Sequence, residues 1–268
     1  SAYDNCSAPW GTTHRDSWRL IRDNPFLTGM YIWTGFDYLG EPTPYWWPAR
    51  SSYFGIIDLA GFPKDVYWFY QSEWTARDVL HIFPHWNWNP GQTVDVWAFT
   101  NCDEVELFLN GNSLGRQPKG HDDFNLVWKV KFEEGTLLCV GYRNGTEIMR
   151  SEVRTAGEPA ALTLSPDRAE IKADGSDLSF ITVALTDKDN NPVPLASNMV
   201  SFSIEGPGTI AGVDNGSQTS MEPFKADYRK AYNGKCLVVL KAGREKGDLK
   251  VTASSDGLPD AICTVTVR

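Results

Sequence analysis

The stretch TVDVWAFTNCDEVELFLNG, from Thr93 to Gly111, decides the fold class of this 268-residue chain. Apolar and polar residues alternate in TVDV and in EVEL, as in strands that bury one face. The Asn110-Gly111 pair at its end is a strong hairpin-turn signal. Between Val79 and Thr155 further short strands surround it, VLHIF, LVWKVKF, TLLCVGYR and EIMRSEVRT, with a similar turn at Asn144-Gly145. Alternating strands at this spacing predict a β-sandwich over residues 75–157.

A second strand-rich region follows a short linker. The segment AGEPAA around Gly157 interrupts the strand pattern, as Gly and Pro between domains often do. The next strands lie in LTLSPDRAEIKADGSDLSFITVALT, and the chain closes on AICTVTVR. The last tryptophan is Trp128, so the aromatic composition also changes here. We therefore predict a second β-sandwich over residues 158–268.

The first 74 residues have a different pattern. TTHRDSWRLIRDN carries threonine and acidic capping signals and predicts a short helix that ends before Pro25. MYIWTGF, residues 30–36, is a continuous apolar run that predicts a strand buried on both faces. PKDVYWFYQSEW has Pro63 near its start and apolar residues at helical spacing, and it predicts a second helix. This order is typical of the closing part of an α/β barrel, which we predict over residues 1–74.

Composition excludes several classes of function. The net charge is −9 and Lys and Arg do not cluster, so electrostatics give little support for binding nucleic acid. No apolar run reaches the roughly 18 residues of a membrane-spanning helix. The four histidines lack metal-ligand spacing. DKDNNP at Asp187 has Pro192 where a calcium loop needs Gly, so we predict a turn there. We expect neither a metal nor a cofactor.

The chain opens on SAYDNCSAPWG, with neither an initiator Met nor a signal segment. We interpret it as the interior of a longer protein. Its five cysteines are few and widely spaced, without a CxxC pair, so they indicate neither a zinc site nor a compartment.

The stretch NPFLTGMYIWTGFDYLGEPTPYWWPARSSYFGIIDLAGFPKDVYWFYQSEW, from Asn24 to Trp74, closely resembles the end of the catalytic barrel in bacterial β-galactosidases of glycoside hydrolase family 2. EVELFLNGNSLG resembles the immunoglobulin-like domain that follows the barrel in one subgroup, and the segment from Gly157 resembles the bacterial Ig-like domains at the C-terminus of those enzymes. The resemblance implies a mainly β chain: two immunoglobulin-like β-sandwiches preceded by the C-terminal portion of a (β/α)8 TIM barrel. It also implies that the acid/base and nucleophilic glutamates lie upstream of Ser1.

Four residues of this stretch are predicted to bind substrate. In the family, the tryptophan at the end of the eighth barrel strand, Trp33 here, forms part of the wall around the sugar, and an indole face suits the apolar face of galactose. Asp37 and Glu41 would lie about 13 Å apart in an extended chain, whereas a retaining glycosidase needs its two carboxyl groups ~5 Å apart. We predict polar contacts from them to sugar hydroxyls, with a loop-stabilising hydrogen bond as the alternative. Tyr45 is predicted to line the entrance to the pocket, with loop packing as the alternative.

The resemblance implies that the parent protein hydrolyses terminal β-galactosides with retention and that this chain alone is inactive. A β-glucuronidase or β-mannosidase of the same family is the nearest alternative. A non-catalytic module that holds a polysaccharide, with Trp86 or Trp88 as its binding surface, is the alternative of another class. The expected partner is a β-galactoside or oligosaccharide. The open edges of MYIWTGF predict that residues 1 to about 74 are disordered, packed onto the first sandwich in an altered way, or paired with the same segment of a second molecule. The resemblance favours a periplasmic or secreted protein, although the sparse cysteines suit the cytoplasm equally.

Overall fold

The computed structural model describes residues 3–268, which are built mainly from β-strands. The described residues form two α-helices and sixteen strands. They divide into two compact units, one up to Thr155 and one from Ala156 to Arg268. The division lies next to the predicted linker glycine, Gly157. A separate N-terminal domain over residues 1–74 stays a prediction, since the described part of that segment groups with the first sandwich in one unit.

Both predicted helices are present. Helix α1 spans His14–Arg22, and the Thr13 side chain caps it by accepting a hydrogen bond from a backbone N–H of the first turn. Helix α2 spans Asp65–Trp74 and buries Phe69 and Tyr70. These two rings pack in an aromatic cluster with Phe83, Trp97, Phe99 and Phe124.

The prediction of a strand over MYIWTGF is wrong. Residues 30–36 follow an irregular path, with an isolated β-bridge from Phe36 to Ile57. The Ile56 N–H donates to the Thr34 carbonyl at 3.1 Å, and the Ile57 N–H donates to the Gly35 carbonyl at 3.0 Å. A strand in the middle of a sheet needs a paired neighbour on each side. Residues 3–79 supply no such neighbour, so the backbone pairs with a later part of its own loop, and no barrel strand forms within that range.

The first sandwich confirms the strand prediction for this region. Its seven strands are β1 (Leu80–Phe83), β2 (Thr93–Thr100), β3 (Glu104–Leu109), β4 (Asn112–Pro118), β5 (Leu126–Lys131), β6 (Thr136–Arg143) and β7 (Thr146–Arg154). One sheet has the order β1-β2-β5 and the other β4-β3-β6-β7. Val105, Leu107 and Leu109 of β3 point into the core and alternate with more exposed residues.

The two predicted hairpin turns are present in this sandwich. Asn110 and Asn144 both adopt a positive φ of 50°, and each is followed by a glycine with positive φ, as such turns require. Strand β4 was not predicted, because NSLGRQP is polar and lies almost wholly exposed at the edge of its sheet. Edge strands that bury no face lack the alternation on which the prediction relied.

The second sandwich is also present. Its nine strands are β8 (Ala161–Pro166), β9 (Glu170–Ile171), β10 (Leu178–Thr186), β11 (Met199–Glu205), β12 (Gly208–Asp214), β13 (Tyr228–Lys230), β14 (Lys235–Ala242), β15 (Gly247–Ser254) and β16 (Ala261–Val267). One sheet has the order β12-β14-β10-β8, and the other has the order β13-β11-β15-β16-β9. The pairs are antiparallel except β9 with β16, which is parallel. Ile181 and Val183 of the first sheet and Leu249 and Val251 of the second are fully buried in one core.

The segment DKDNNP forms the predicted turn between β10 and β11. The Asp187 carboxylate accepts hydrogen bonds from the backbone N–H groups of Gly157 at 2.9 Å, Asp189 at 2.9 Å and Asn191 at 2.8 Å. These bonds, chiefly the one from Gly157, lower the pKa of Asp187 to about 2. The carboxylate therefore fixes both the turn and the start of the second unit.

Candidate functional site

Asp37 organises the long loop between the two helices. Its side chain is buried, and its oxygens lie 2.6 Å from Lys64 Nζ, 2.8 Å from the Gly55 nitrogen and 3.2 Å from Ser52 Oγ. Lys64 also donates to the Tyr53 carbonyl at 3.0 Å. A buried carboxylate needs such partners, because leaving it unpaired is costly. The geometry gives Asp37 the loop-stabilising role, and its contact with a sugar stays a prediction.

Gly55 permits the close approach on which this arrangement depends. A β-carbon at Gly55 would lie 2.2 Å from the Asp37 backbone nitrogen and 2.5 Å from the Phe36 carbonyl carbon. Real β-carbons do not come so near to backbone atoms. Any larger residue at this position would therefore push apart the two segments that Asp37 joins.

Trp33, Tyr38 and Glu41 form a hydrogen-bonded chain on the exposed side of the same loop. The Trp33 indole N–H donates to the Tyr38 hydroxyl at 3.1 Å, and the Tyr38 hydroxyl donates to the Glu41 carboxylate. The Trp33 and Tyr38 rings meet edge to face, with centroids 6.4 Å apart at 86°. The indole is thus held by a specific partner although 74% of the Trp33 surface is exposed.

Glu41 also affects the ionisation of Tyr38. The hydrogen bond from the Tyr38 hydroxyl to Glu41 is the main cause that raises the pKa of Tyr38 above its ordinary value. Tyr38 therefore stays protonated at neutral pH and keeps its hydrogen for the carboxylate.

Tyr45 belongs to a second aromatic group of the loop. Its ring lies 4.2 Å from the Tyr53 ring, centroid to centroid. The neighbouring Trp46 and Trp47 are 90% and 79% exposed. Rings with so much free surface add little to a core and are suited to contacts with a ligand or another protein segment. The predicted role of Tyr45 at a pocket entrance stays a prediction.

The segment HIFPHWNW, residues 81–88, is mostly structural. Trp86 is completely buried in the core of the first sandwich, and its indole N–H donates to the Glu133 carbonyl at 2.9 Å. Trp88 is partly buried, stacks on His85 with centroids 4.8 Å apart, and donates to the His85 carbonyl. A glycan cannot reach Trp86, so of the two rings predicted for the binding-module alternative only Trp88 is accessible.

No group of three or more His, Cys, Asp or Glu side chains in residues 3–268 could hold a metal ion. The five cysteines are unpaired. Burial raises the pKa of both Cys139 and Cys236 to about 12, so these thiols are protonated and unreactive.

Sequence reasoning missed three residues that build the site: Tyr38, Gly55 and Lys64. Tyr38 stands between two of the predicted residues, yet its linking role depends on where the loop places Trp33. Lys64 reaches Asp37 from just before helix α2, and no local pattern joins positions so far apart. The one available signal was the glycine in YFGII, since Gly within an apolar run often marks a close backbone approach.

The chain matches known families and proteins along its length. The model of glycoside hydrolase family 2 C-terminal domain 5 matches residues 162–264, and a domain of unknown function, DUF4982, matches residues 91–149. A β-galactosidase of Bacteroides ovatus is 55% identical over 269 residues, covering 100% of this chain and 32% of that protein. The chain belongs to glycoside hydrolase family 2.

Two other proteins are similar to almost the whole chain or all of it. The crystal structure of a β-glycosidase from Bacteroides vulgatus superposes with a TM-score of 0.94 at 37% identity, over 100% of this chain and 34% of that one. A putative β-glucuronidase of Formosa agariphila is 35% identical over 95% of this chain and 25% of that protein. The chain thus spans about a third or less of the length of these relatives.

The two helices found in residues 3–268 are too short and too polar to cross a membrane.

Proposed function

We propose that the chain is the C-terminal part of a retaining β-galactosidase, in which Trp33 forms one wall of the site for the terminal galactose. The observation that carries this proposal is the 55% identity, along the whole chain, to the β-galactosidase of Bacteroides ovatus. The parent enzyme cleaves the glycosidic bond through a covalent glycosyl intermediate, with two carboxyl groups that lie outside this chain.

The loop geometry supports the role of Trp33. Its indole is largely exposed but fixed through Tyr38, which suits a ring that must meet a sugar face in one orientation. Glu41 is the last member of the hydrogen-bonded series Trp33–Tyr38–Glu41, and its carboxylate oxygens can accept further hydrogen bonds from sugar hydroxyls. Tyr45 is proposed to line the approach to the pocket.

The carboxylates of this loop are not proposed as catalytic groups. Asp37 is buried against Lys64, and Glu41 is bound by Tyr38. Each has its own partner, whereas a retaining glycosidase needs two carboxyl groups facing one glycosidic bond. In the proposal Asp37 stabilises the loop through its bonds to Lys64 and Gly55.

A β-glucuronidase is the second candidate, because a putative enzyme of that activity is 35% identical to the chain. A glucuronide carries a carboxylate on the sugar, whereas a galactoside is neutral. Glu41 is held beside Trp33 and would repel such a carboxylate, so this loop favours the neutral sugar.

We further propose that both sandwiches are immunoglobulin-like and orient the catalytic barrel of the parent. The two-sheet arrangement, with strands of each sheet drawn from distant parts of the chain, supports this assignment. A periplasmic or secreted location is proposed from the resemblance of the sequence to bacterial family 2 enzymes. Self-association of the isolated chain through residues 1–74 also stays a proposal, supported by the exposed rings of Trp46 and Trp47.

The proposal is tested by a substrate panel on the purified full-length protein. Aryl β-galactoside, β-glucuronide and β-mannoside are compared by kcat/KM, with the 268-residue chain as an inactive control. We expect the galactoside to be preferred by at least about 100-fold, the scale of discrimination when a site leaves a polar group unpaired or mispaired. A preference for the glucuronide would replace the proposal with the second candidate, and turnover by the chain alone would show that it contains the catalytic pair.

A further inference from the structure

We propose that Tyr38 is a positioning residue of the sugar site: its hydroxyl, anchored by Glu41, fixes the Trp33 indole in the orientation that meets the sugar. This inference rests on the proposed function. It concerns a residue that makes no contact with the sugar itself and acts through Trp33.

The donor and acceptor properties of the three groups set the direction of the hydrogen bonds. An indole N–H can only donate and a carboxylate can only accept. The Tyr38 hydroxyl lies between them, 3.1 Å from the Trp33 nitrogen and hydrogen-bonded to Glu41. It must therefore accept from Trp33 and donate to Glu41. A phenylalanine at this position can do neither.

Tyr38 itself is held at both ends. Its backbone N–H donates to Ser52 Oγ at 3.0 Å, and its carbonyl accepts from the Ser52 N–H at 2.9 Å. Ser52 also bonds to the buried Asp37 carboxylate. The Tyr38 ring meets Phe54 edge to face, with centroids 5.9 Å apart. The Tyr38 backbone is thus fixed by Ser52, which is itself bonded to Asp37, and the Tyr38 hydroxyl in turn fixes the exposed Trp33 ring.

One consequence is that the indole N–H is already occupied, so Trp33 meets the sugar with its ring face. Without the phenol, an exposed indole is free to change rotamer. Misplacement of a substrate-positioning group by a small distance lowers rates strongly. We expect Tyr38→Phe to lower kcat/KM for an aryl β-galactoside by on the order of 10-fold, less than the 100-fold that a full 1 Å misplacement can cost.

The test uses the full-length enzyme and five variants. Tyr38→Phe removes only the hydroxyl and keeps the ring contacts, so it should fold. Glu41→Gln keeps an oxygen that accepts from Tyr38 and should lower kcat/KM less than Glu41→Ala, which removes the acceptor. The double variant Tyr38→Phe/Glu41→Ala should be no worse than Glu41→Ala alone, because Tyr38 acts on the indole only while Glu41 anchors it. Tyr232→Phe, the same change at an exposed tyrosine of the second unit, should leave kcat/KM unchanged.

Two results would overturn the inference. Wild-type kcat/KM in Tyr38→Phe would show that Trp33 needs no such anchor. An equal loss in Glu41→Gln and Glu41→Ala would show that an acceptor for the Tyr38 hydroxyl does not help to fix the indole. Each variant is compared on the glycoside that the wild-type enzyme turns over fastest. A wild-type enzyme that prefers another glycoside therefore contradicts the proposed function, while the variants still decide the role of Tyr38.

Discussion

At the scale of single residues, the loop separates two tasks that the sequence alone does not distinguish. Asp37 and Glu41 are two acids four positions apart, and both were predicted to contact the sugar. The structure buries one against Lys64 and leaves the other on the surface under Tyr38. Their exposure depends on the path of the loop, which long-range partners set. The resemblance identified Trp33, but its anchoring was beyond prediction for the same reason.

The Asp187 turn gives a prediction about pH at this scale. The folded-state pKa of about 2 lies below the ordinary aspartate value of about 3.9. A depressed folded pKa stabilises the protein above the unfolded pKa, and this contribution is lost as the pH falls through the folded pKa. In the 268-residue chain, Asp187→Asn should lower the midpoint temperature of thermal unfolding, measured by far-UV circular dichroism. The difference from wild type should be constant above about pH 5 and shrink progressively as the pH falls toward the folded pKa of about 2.

Asp189→Asn is the matched control, since Asp189 lies exposed in the same turn. It should leave the midpoint unchanged at each pH. A difference between wild type and Asp187→Asn that is as large at pH 2 as above pH 5 would contradict the hydrogen-bond account of the turn.

At the scale of elements, prediction succeeded where a segment carries its own pattern. Helix α1 has its cap in the sequence, and β3 and β5 alternate strictly between buried and more exposed residues. Strand β4 lacks alternation and was missed. MYIWTGF has the apolar pattern of a buried strand, but a pattern cannot supply the neighbouring strands that would pair with it.

Gly55 yields the prediction for the loop as an element. In the isolated chain, Gly55→Ala should destabilise the first unit by about 1–3 kcal/mol, as overpacking does, because the new β-carbon meets backbone of the Asp37 segment. Tryptophan fluorescence during thermal unfolding measures this selectively, since the last tryptophan is Trp128 and the second unit contains none.

Gly35→Ala is the control for this change, because a β-carbon there meets nothing within 4 Å. Its unfolding midpoint should match that of wild type. Equal midpoints for Gly55→Ala and Gly35→Ala would show that the close approach of the two loop segments does not stabilise the unit.

At the scale of the whole molecule, the chain carries a separate core in each unit. The second unit buries its apolar side chains in one cluster, drawn from both of its sheets. We expect residues 156–268, expressed alone, to fold and to unfold in one cooperative transition, because a domain of about 100 residues can bury sufficient surface for stability. Circular dichroism during urea denaturation measures this. A gradual, non-cooperative loss of signal would show that the unit does not fold independently.

The central claim, that this chain supplies a sugar-contacting wall to a β-galactosidase site, is tested most directly by the kinetics of Trp33→Ala in the full-length enzyme. Removing the stacking surface should lower kcat/KM for an aryl β-galactoside by about 1–3 kcal/mol of transition-state stabilisation. Trp10→Ala, at another exposed tryptophan, is the control and should keep wild-type kinetics. A folded Trp33→Ala enzyme with unchanged kcat/KM would contradict the claim and reduce Trp33 to a surface residue of the loop.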